Sequence, residues 1–228
     1  MSIAPPPSRI RRTVAVGVLV VVVLAAVVVI ALRVYSPGDD VEGAGGPAAS
    51  PQAPPEEAEQ SAAPVSGCLG GDTRDAAMVQ AAQQAAGHSE TGAVEVSAAF
   101  VRWLNQYPYP ADAGQVQQTA ISATAPTRDL VAFFETEPDL SGGLVAASEP
   151  YWLSTVTGVF HVESSEPDAV TASIGTALVR DGELSPSLKG SITVTVSWED
   201  GRWVFVRSEG TRTTEDLFAI GAPFSGGC

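Results

Sequence analysis

Two histidines, two cysteines and scattered carboxylates are the residues of this 228-residue chain whose types suit catalysis or metal binding. A zinc site needs several His, Cys or acidic ligands converging at short spacing. Here His88 and His161 stand far apart, and Cys68 and Cys228 are 160 positions apart. His88 falls in the polar joint Gly87-His88-Ser89-Glu90 and His161 in a strand-like run, so both are expected to be structural or exposed. Serines and aspartates are plentiful, but no Gly-x-Ser-x-Gly elbow supports a Ser-His-Asp set, whose geometry is spatial rather than sequential. Gly70-Gly71, Gly142-Gly143 and Gly226-Gly227 lack the lysine and the fixed spacing of a phosphate-binding loop and read as turns. Glu135 with Glu137, and Glu199 with Asp200, read as surface carboxylates at a helix end and a hairpin turn, not as an acid–base pair. The expectation is a protein with no catalytic residue, no metal ligand and no cofactor, and not an enzyme.

The cysteines carry a different chemistry. Cys68 opens the folded region and Cys228 is the last residue of the sequence. On an oxidising side of a membrane such a pair persists as a disulfide. Closing so long a loop restrains the unfolded chain by about 4–5 kcal/mol in the chain-entropy account, before any strain is subtracted. The glycines beside both cysteines ease an intramolecular bridge; an intermolecular bridge and free thiols are the alternatives. Among the aromatic residues, Trp103, Tyr107 and Tyr109 at the end of a helix are candidate protein contacts, although most aromatics of the chain are expected in the core.

The elements that would position these groups begin with a membrane anchor. Residues 13–32, TVAVGVLVVVVLAAVVVIAL, contain no charge and no proline. Twenty helical residues reach about 30 Å, the thickness of the hydrocarbon core. Lipid forces backbone pairing within the segment, which overrides the poor helix propensity of valine. Arg9, Arg11 and Arg12 precede the run, whereas Arg33 is soon followed by Asp39, Asp40 and Glu42; this charge bias puts the N-terminus in the cytoplasm. A cleaved signal peptide has the same order of regions, but its apolar core is shorter. Val65-Ser66-Gly67-Cys68 mimics a lipoprotein box, yet it lies more than thirty residues beyond the apolar run.

All 26 acidic residues follow Arg33, with only eight basic ones, so the outer part carries about −18. That balance opposes nucleic-acid binding and close adhesion to anionic lipid. The chain thus divides into a cytoplasmic tail at 1–12, a transmembrane helix at 13–33, a disordered Pro/Ala/Gly/Glu-rich tether at 34–66, and an extracytoplasmic domain at 67–228.

The domain changes pattern midway. Helices are expected over 73–86, over 93–105 up to the Tyr107-Pro108-Tyr109-Pro110 stop, and from an N-cap at Thr127 to Pro138. Strands are expected at 151–162, 169–179, 188–198 and 202–206, the last two joined at Asp200-Gly201, with a short helix near Thr214. Helices followed by antiparallel strands give an α+β class with helices on one sheet face.

The segment Gly92-Ala93-Val94-Glu95 through Phe100-Val101-Arg102-Trp103-Leu104, then Tyr107-Pro108-Tyr109-Pro110, together with Gly67-Cys68-Leu69-Gly70-Gly71, resembles an uncharacterised family of actinobacterial membrane proteins encoded within integrative and conjugative elements. The resemblance covers the whole outer domain. The architecture also resembles the bitopic scaffold proteins of type IV secretion systems, which implies a nuclear-transport-factor-two-like cone of helices on a curved antiparallel sheet. It implies a structural or accessory part in a conjugation apparatus, with other membrane or cell-envelope proteins as partners, a homo-oligomer among the options, and the lipid bilayer contacted through the N-terminal helix. The alternative is a cell-envelope module that holds a small apolar ligand or assists a lipid-uptake complex. A deep open apolar pocket favours the alternative; a filled cone with a separate exposed aromatic patch favours the scaffold.

Overall fold

The structure is a computed structural model that describes residues 64–136, 139–210 and 212–228. Arg9, Arg11, Arg12, the apolar run 13–32, nearly all of the tether and Glu137 lie outside the described residues. Among the described residues no helix is long and apolar enough to cross a membrane.

Helix α1 spans Ala76–Ala85, its first turn capped by Asp75, whose carboxylate accepts from the Met78 amide at 2.9 Å. Helix α2 spans Glu90–Leu104 and starts on Ser89, whose hydroxyl accepts from the Gly92 amide at 3.1 Å. A Cβ at Gly92 would lie 2.3 Å from the Gly87 carbonyl oxygen, so the tight joint between the two helices requires glycine there. From Gly92 to Leu104 every residue of α2 except Glu95 is buried. A helix apolar on nearly all sides must lie inside the protein, and α2 packs against α1 and against the sheet. The two-residue strand β1 (Gln106–Tyr107), helix α3 (Ala113–Ala120) and helix α4 (Leu130–Thr136) follow.

The second half is strands β2 (Tyr151–Glu166), β3 (Ala169–Arg180), β4 (Glu183–Glu199) and β5 (Arg202–Glu209), then helix α5 (Thr214–Ile220) and strand β6 (Ala222–Pro223). The antiparallel sheet runs β1-β2-β3-β4-β5, with β6 also beside β2. Register shifts in β2, β3–β4 and β4–β5 curl it into a half-barrel. The α+β class expected from the sequence is what the chain adopts. One face carries Val170, Ala172, Ile174, Val194, Val196, Trp203 and Phe205 against the first four helices. The opposite face is polar and carries α5, which buries Leu217. Gly175 on β3 lets α5 approach, since a Cβ there would fall 2.7 Å from Val159 and 3.0 Å from the Phe218 ring.

Several boundaries differ from expectation. Helix α4 starts after Asp129, whose carboxylate accepts from the Ala132 amide at 3.0 Å, so Thr127 is not its cap. Helix α3 was not expected, because its glutamine-rich sequence offers only Ala113, Val116 and Ala120 as buried positions. Strand β4 begins earlier than expected despite Pro186: Val179 faces Leu184 and Ala177 faces Lys189, so the proline sits in an irregularity between paired stretches.

The polar face holds its own network. Ser173 donates to Glu163 at 2.6 Å, and Arg212, just before α5, grips the same carboxylate from Nε at 2.7 Å and Nη2 at 2.5 Å. The Arg212 bonds, joined by that of Ser173, hold the Glu163 carboxyl at about 2, below its ordinary 4.5. A depressed folded-state pKa stabilises the fold above the unfolded value and loses that contribution as the pH falls from 4.5 toward about 2. Glu163→Gln is therefore expected to lower the urea midpoint at neutral pH and to flatten its decline across that acid window. Parallel pH profiles for the two proteins would contradict the assignment.

Candidate functional site

At the end of α2 the chain turns through Asn105 into β1, and the cis Tyr107–Pro108 bond starts a Pro-bounded loop. Tyr107 and Tyr109 meet edge to face at 5.4 Å, and Tyr109 stacks on Phe134 of α4 at 5.0 Å. Phe134 in turn touches Phe133 at 5.6 Å and Trp103 at 5.9 Å. Tyr107, Tyr109, Phe133 and Phe134 are each half-buried, and Val131 on the same short helix is 49% exposed. Together they form an aromatic shelf on the surface. Trp103, expected as a contact beside the two tyrosines, is wholly buried. Its indole donates to Asp112 at 3.1 Å, while the other oxygen of Asp112 accepts from the Ala76 amide at 2.5 Å. Trp103 thus supports the shelf from beneath and locks it to the start of α1.

Beside the shelf, Tyr151 is buried with Leu153 and Leu178, and Tyr107, Leu144 and Val145 pack on that cluster. The Tyr151 hydroxyl finds no hydrogen-bond partner among the described residues. Burial, with Tyr109 and Asp139 adding to it, pushes its pKa above the ordinary phenol value.

Phe133 also lines a cleft between α2, α4 and β5, together with Phe100, Leu104, Leu130 and Phe205. The cleft holds about 200 Å³. Pockets for small organic ligands run to about 300–1,000 Å³. Phe100 and Phe205, two of its lining residues, stack on each other at 4.1 Å. The cleft and the shelf share Phe133 and form one apolar surface.

A second assembly lies at the chain's ends. Cys68 and Cys228 are bonded to each other, with Cα atoms 5.4 Å apart. Gly67 donates its amide to the Gly226 carbonyl at 2.8 Å, Ser225 donates to Val65 at 2.8 Å, and the Thr155 hydroxyl donates to Gly67 at 2.7 Å. The Cys228 carbonyl accepts from the Thr155 amide at 3.0 Å and the Ser154 hydroxyl at 2.8 Å. These bonds use the irregular stretch of β2 between Ser154 and Val159, where the strand leaves its register with β3. Under the disulfide sits Arg102 of α2, wholly buried. It donates twice to the Gly71 carbonyl, at 3.0 and 2.9 Å, and to the Met78 sulfur at 3.1 Å. Burial, with the charge of Arg74 next in effect, lowers its pKa to about 10, which leaves it cationic at neutral pH.

His88 serves elsewhere. His88 stacks on Trp198 at 4.3 Å and its Nε2 lies 2.9 Å from both the Pro167 carbonyl and the Asp168 carboxylate. Glu199, expected in a solvated turn, accepts from Ser122 and Ser197, each at 2.7 Å. Among the described residues no group of three or more His, Cys, Asp or Glu is placed to hold a metal. The sequence reading missed Arg102 and Phe134; an arginine inside Phe100-Val101-Arg102-Trp103-Leu104 was the available signal for the first. In comparison with known proteins, the chain matches no family model, no curated protein and no solved structure.

Two stability measurements separate these assemblies. Replacing both cysteines by serine is expected to cost up to about 4–5 kcal/mol in urea unfolding, because the closed loop spans nearly the whole domain. A loss under about 1 kcal/mol would mean that the hydrogen-bonded clasp suffices without the bond. On the shelf, Phe134→Ala is expected to cost about 2 kcal/mol and Val131→Ser less than about 0.5 kcal/mol, as their difference in burial requires. Equal costs would place Val131 in the core.

Proposed function

We propose that the chain is a membrane-anchored structural or accessory component of a conjugation or type IV secretion-like apparatus, and that its outer domain works through contacts with other cell-envelope proteins. The observation that carries this reading is the aromatic shelf of Tyr107, Tyr109, Phe133 and Phe134 with exposed Val131. Half-buried aromatics that are rigidly supported and only partly desolvated suit a protein contact, since a partner completes their burial without ordering them. Helices on a curled antiparallel sheet are compatible with the nuclear-transport-factor-two-like cone of the secretion scaffolds, a likeness of architecture that bears weakly on function. The disulfide favours an oxidising compartment for the domain, in keeping with residues 13–32 as the anchor and residues 1–12 in the cytoplasm. The acidic surface is suited to protein partners rather than to the transferred DNA.

The apolar cleft supports a second reading, a module for a small apolar ligand or an accessory of lipid uptake. Its 200 Å³ limits an occupant to a fragment of an acyl chain or a molecule of similar size.

Crosslinking in cells that express the full chain, with identification of the captured proteins, tests the proposal. Conjugation ATPase, channel or wall-hydrolase components are expected, and Val131→Glu is expected to reduce their capture at least about tenfold, in line with a charge buried at a contact centre. Capture of lipid or transport proteins alone, unchanged by Val131→Glu, would contradict it and favour the ligand module.

A further inference from the structure

Arg102 is a wholly buried cation, and among the described residues no carboxylate forms an ion pair with it. Its guanidinium is surrounded by neutral acceptors: the carbonyls of Gly71 and Leu69, the Met78 sulfur and both sulfurs of the disulfide. Nη1 contacts Cys228 Sγ closely and lies 3.8 Å from Cys68 Sγ. The guanidinium Nε has no partner at all among the described residues. A buried charge is tolerated when an opposite charge or a full set of hydrogen bonds compensates it. Disulfide sulfur accepts hydrogen bonds weakly, whereas a thiolate is an anion and a strong acceptor. The carboxylate of Asp72 acts on the guanidinium from beyond ion-pair distance, whereas opening this disulfide would create an anion in direct contact with Nη1.

We propose that Cys68–Cys228 is a thiol–disulfide exchange site, opened by an external dithiol, with Arg102 holding the Cys228 thiolate that leaves. A thiolate of the dithiol attacks Cys68 Sγ, a new S–S bond forms there, and the Cys68–Cys228 bond breaks. Its electron pair passes to Cys228 Sγ, which stays as a thiolate against Nη1 of Arg102. The second thiol of the dithiol, once deprotonated, attacks its partner sulfur in the mixed disulfide and releases Cys68, which takes a proton from water. The dithiol is oxidised to a disulfide and the protein gains the two electrons.

Three features fit such a site. Both cysteines are half-buried, so neither residue is enclosed in the core. The bonds from Gly67 to Gly226 and from Thr155 to Cys228 do not involve sulfur, so the ends remain docked when the bond opens and the reaction is reversible. Cations beside cysteine favour its thiolate form, which makes the sulfur a better leaving group. The chemical partner is a dithiol reductant or dithiol oxidoreductase on the same side of the membrane as the domain.

The test uses the full chain in detergent, which contains no other cysteines. After reduction with dithiothreitol, iodoacetamide alkylation is followed against pH, with peptide mass spectrometry separating Cys68 from Cys228. Cys228 is expected to reach half its maximal alkylation rate at least about one pH unit below the ordinary thiol value of about 8.5. Arg102→Gln is expected to return that midpoint to about 8.5 and to slow opening of the disulfide by dithiothreitol at pH 7 about tenfold. Arg102→Lys, which keeps the charge, is expected to restore most of the shift. A Cys228 midpoint at or above 8.5 in the unaltered chain would overturn the proposal even if the variants fail to fold. So would opening rates that do not respond to Arg102→Gln.

Discussion

Arg102 sits on the innermost helix of the domain with its guanidinium directed at the loop 69–71 and at the disulfide. Moving an arginine out of water is costly, and the surrounding backbone must supply acceptors to offset it. The turn at Gly70 and Gly71 does so, and both glycines adopt positive φ, at 86° and 104°. The turn therefore has a fixed position relative to α2. Cys68, just before it, is fixed as well, and through the disulfide so is the C-terminal segment. The charge on one helix thus organises the two chain ends, and the ends close over it.

The sheet provides the other half of the clasp. Between Ser154 and Val159 strand β2 loses its register with β3. Along this stretch the Thr155 amide donates to the Cys228 carbonyl and the Gly158 carbonyl accepts from the Phe224 amide. Close packing accompanies these bonds: a Cβ on Gly227 would lie 2.4 Å from the Thr155 carbonyl carbon, and one on Gly67 would lie 2.9 Å from the Thr155 Cβ. On the far side of α2, Trp103 is tied through Asp112 to the start of α1, and the shelf rests on its ring. Successive residues, Arg102 and Trp103, therefore hold the clasp and the shelf to one rigid helix.

The legible parts of the fold were those governed by local rules. The alternation Ile192, Val194, Val196 and the Asp200-Gly201 turn, with both residues at positive φ, were readable, because each needs only neighbouring residues to act; the Ser89 cap, equally local, was not read, and the helix was expected only from 93. Helix α3, with few buried positions, and the two-residue strands β1 and β6 depend on partners distant in sequence. The cysteine pairing was one of several options until the fold brought the ends together. Trp103 was misplaced for a related reason. Its spacing fits both a core stripe and a surface patch, and only the burial of α2 on nearly all sides decides between them. Arg102 gave only the signal of a charge inside the apolar run 100–104, which was passed over because a single arginine in a helix normally reaches solvent.

Every functional element of this account presupposes one arrangement: the disulfide-closed domain outside the membrane and the arginine-bearing tail inside. Protease treatment of intact spheroplasts, with peptides identified by mass spectrometry, measures it directly. Peptides from 67–228 are expected to be released, with Cys68 and Cys228 still joined, while residues 1–12 stay protected until the membrane is breached. Protection of 67–228 in intact spheroplasts, or recovery of both cysteines as free thiols throughout the cell, would contradict it.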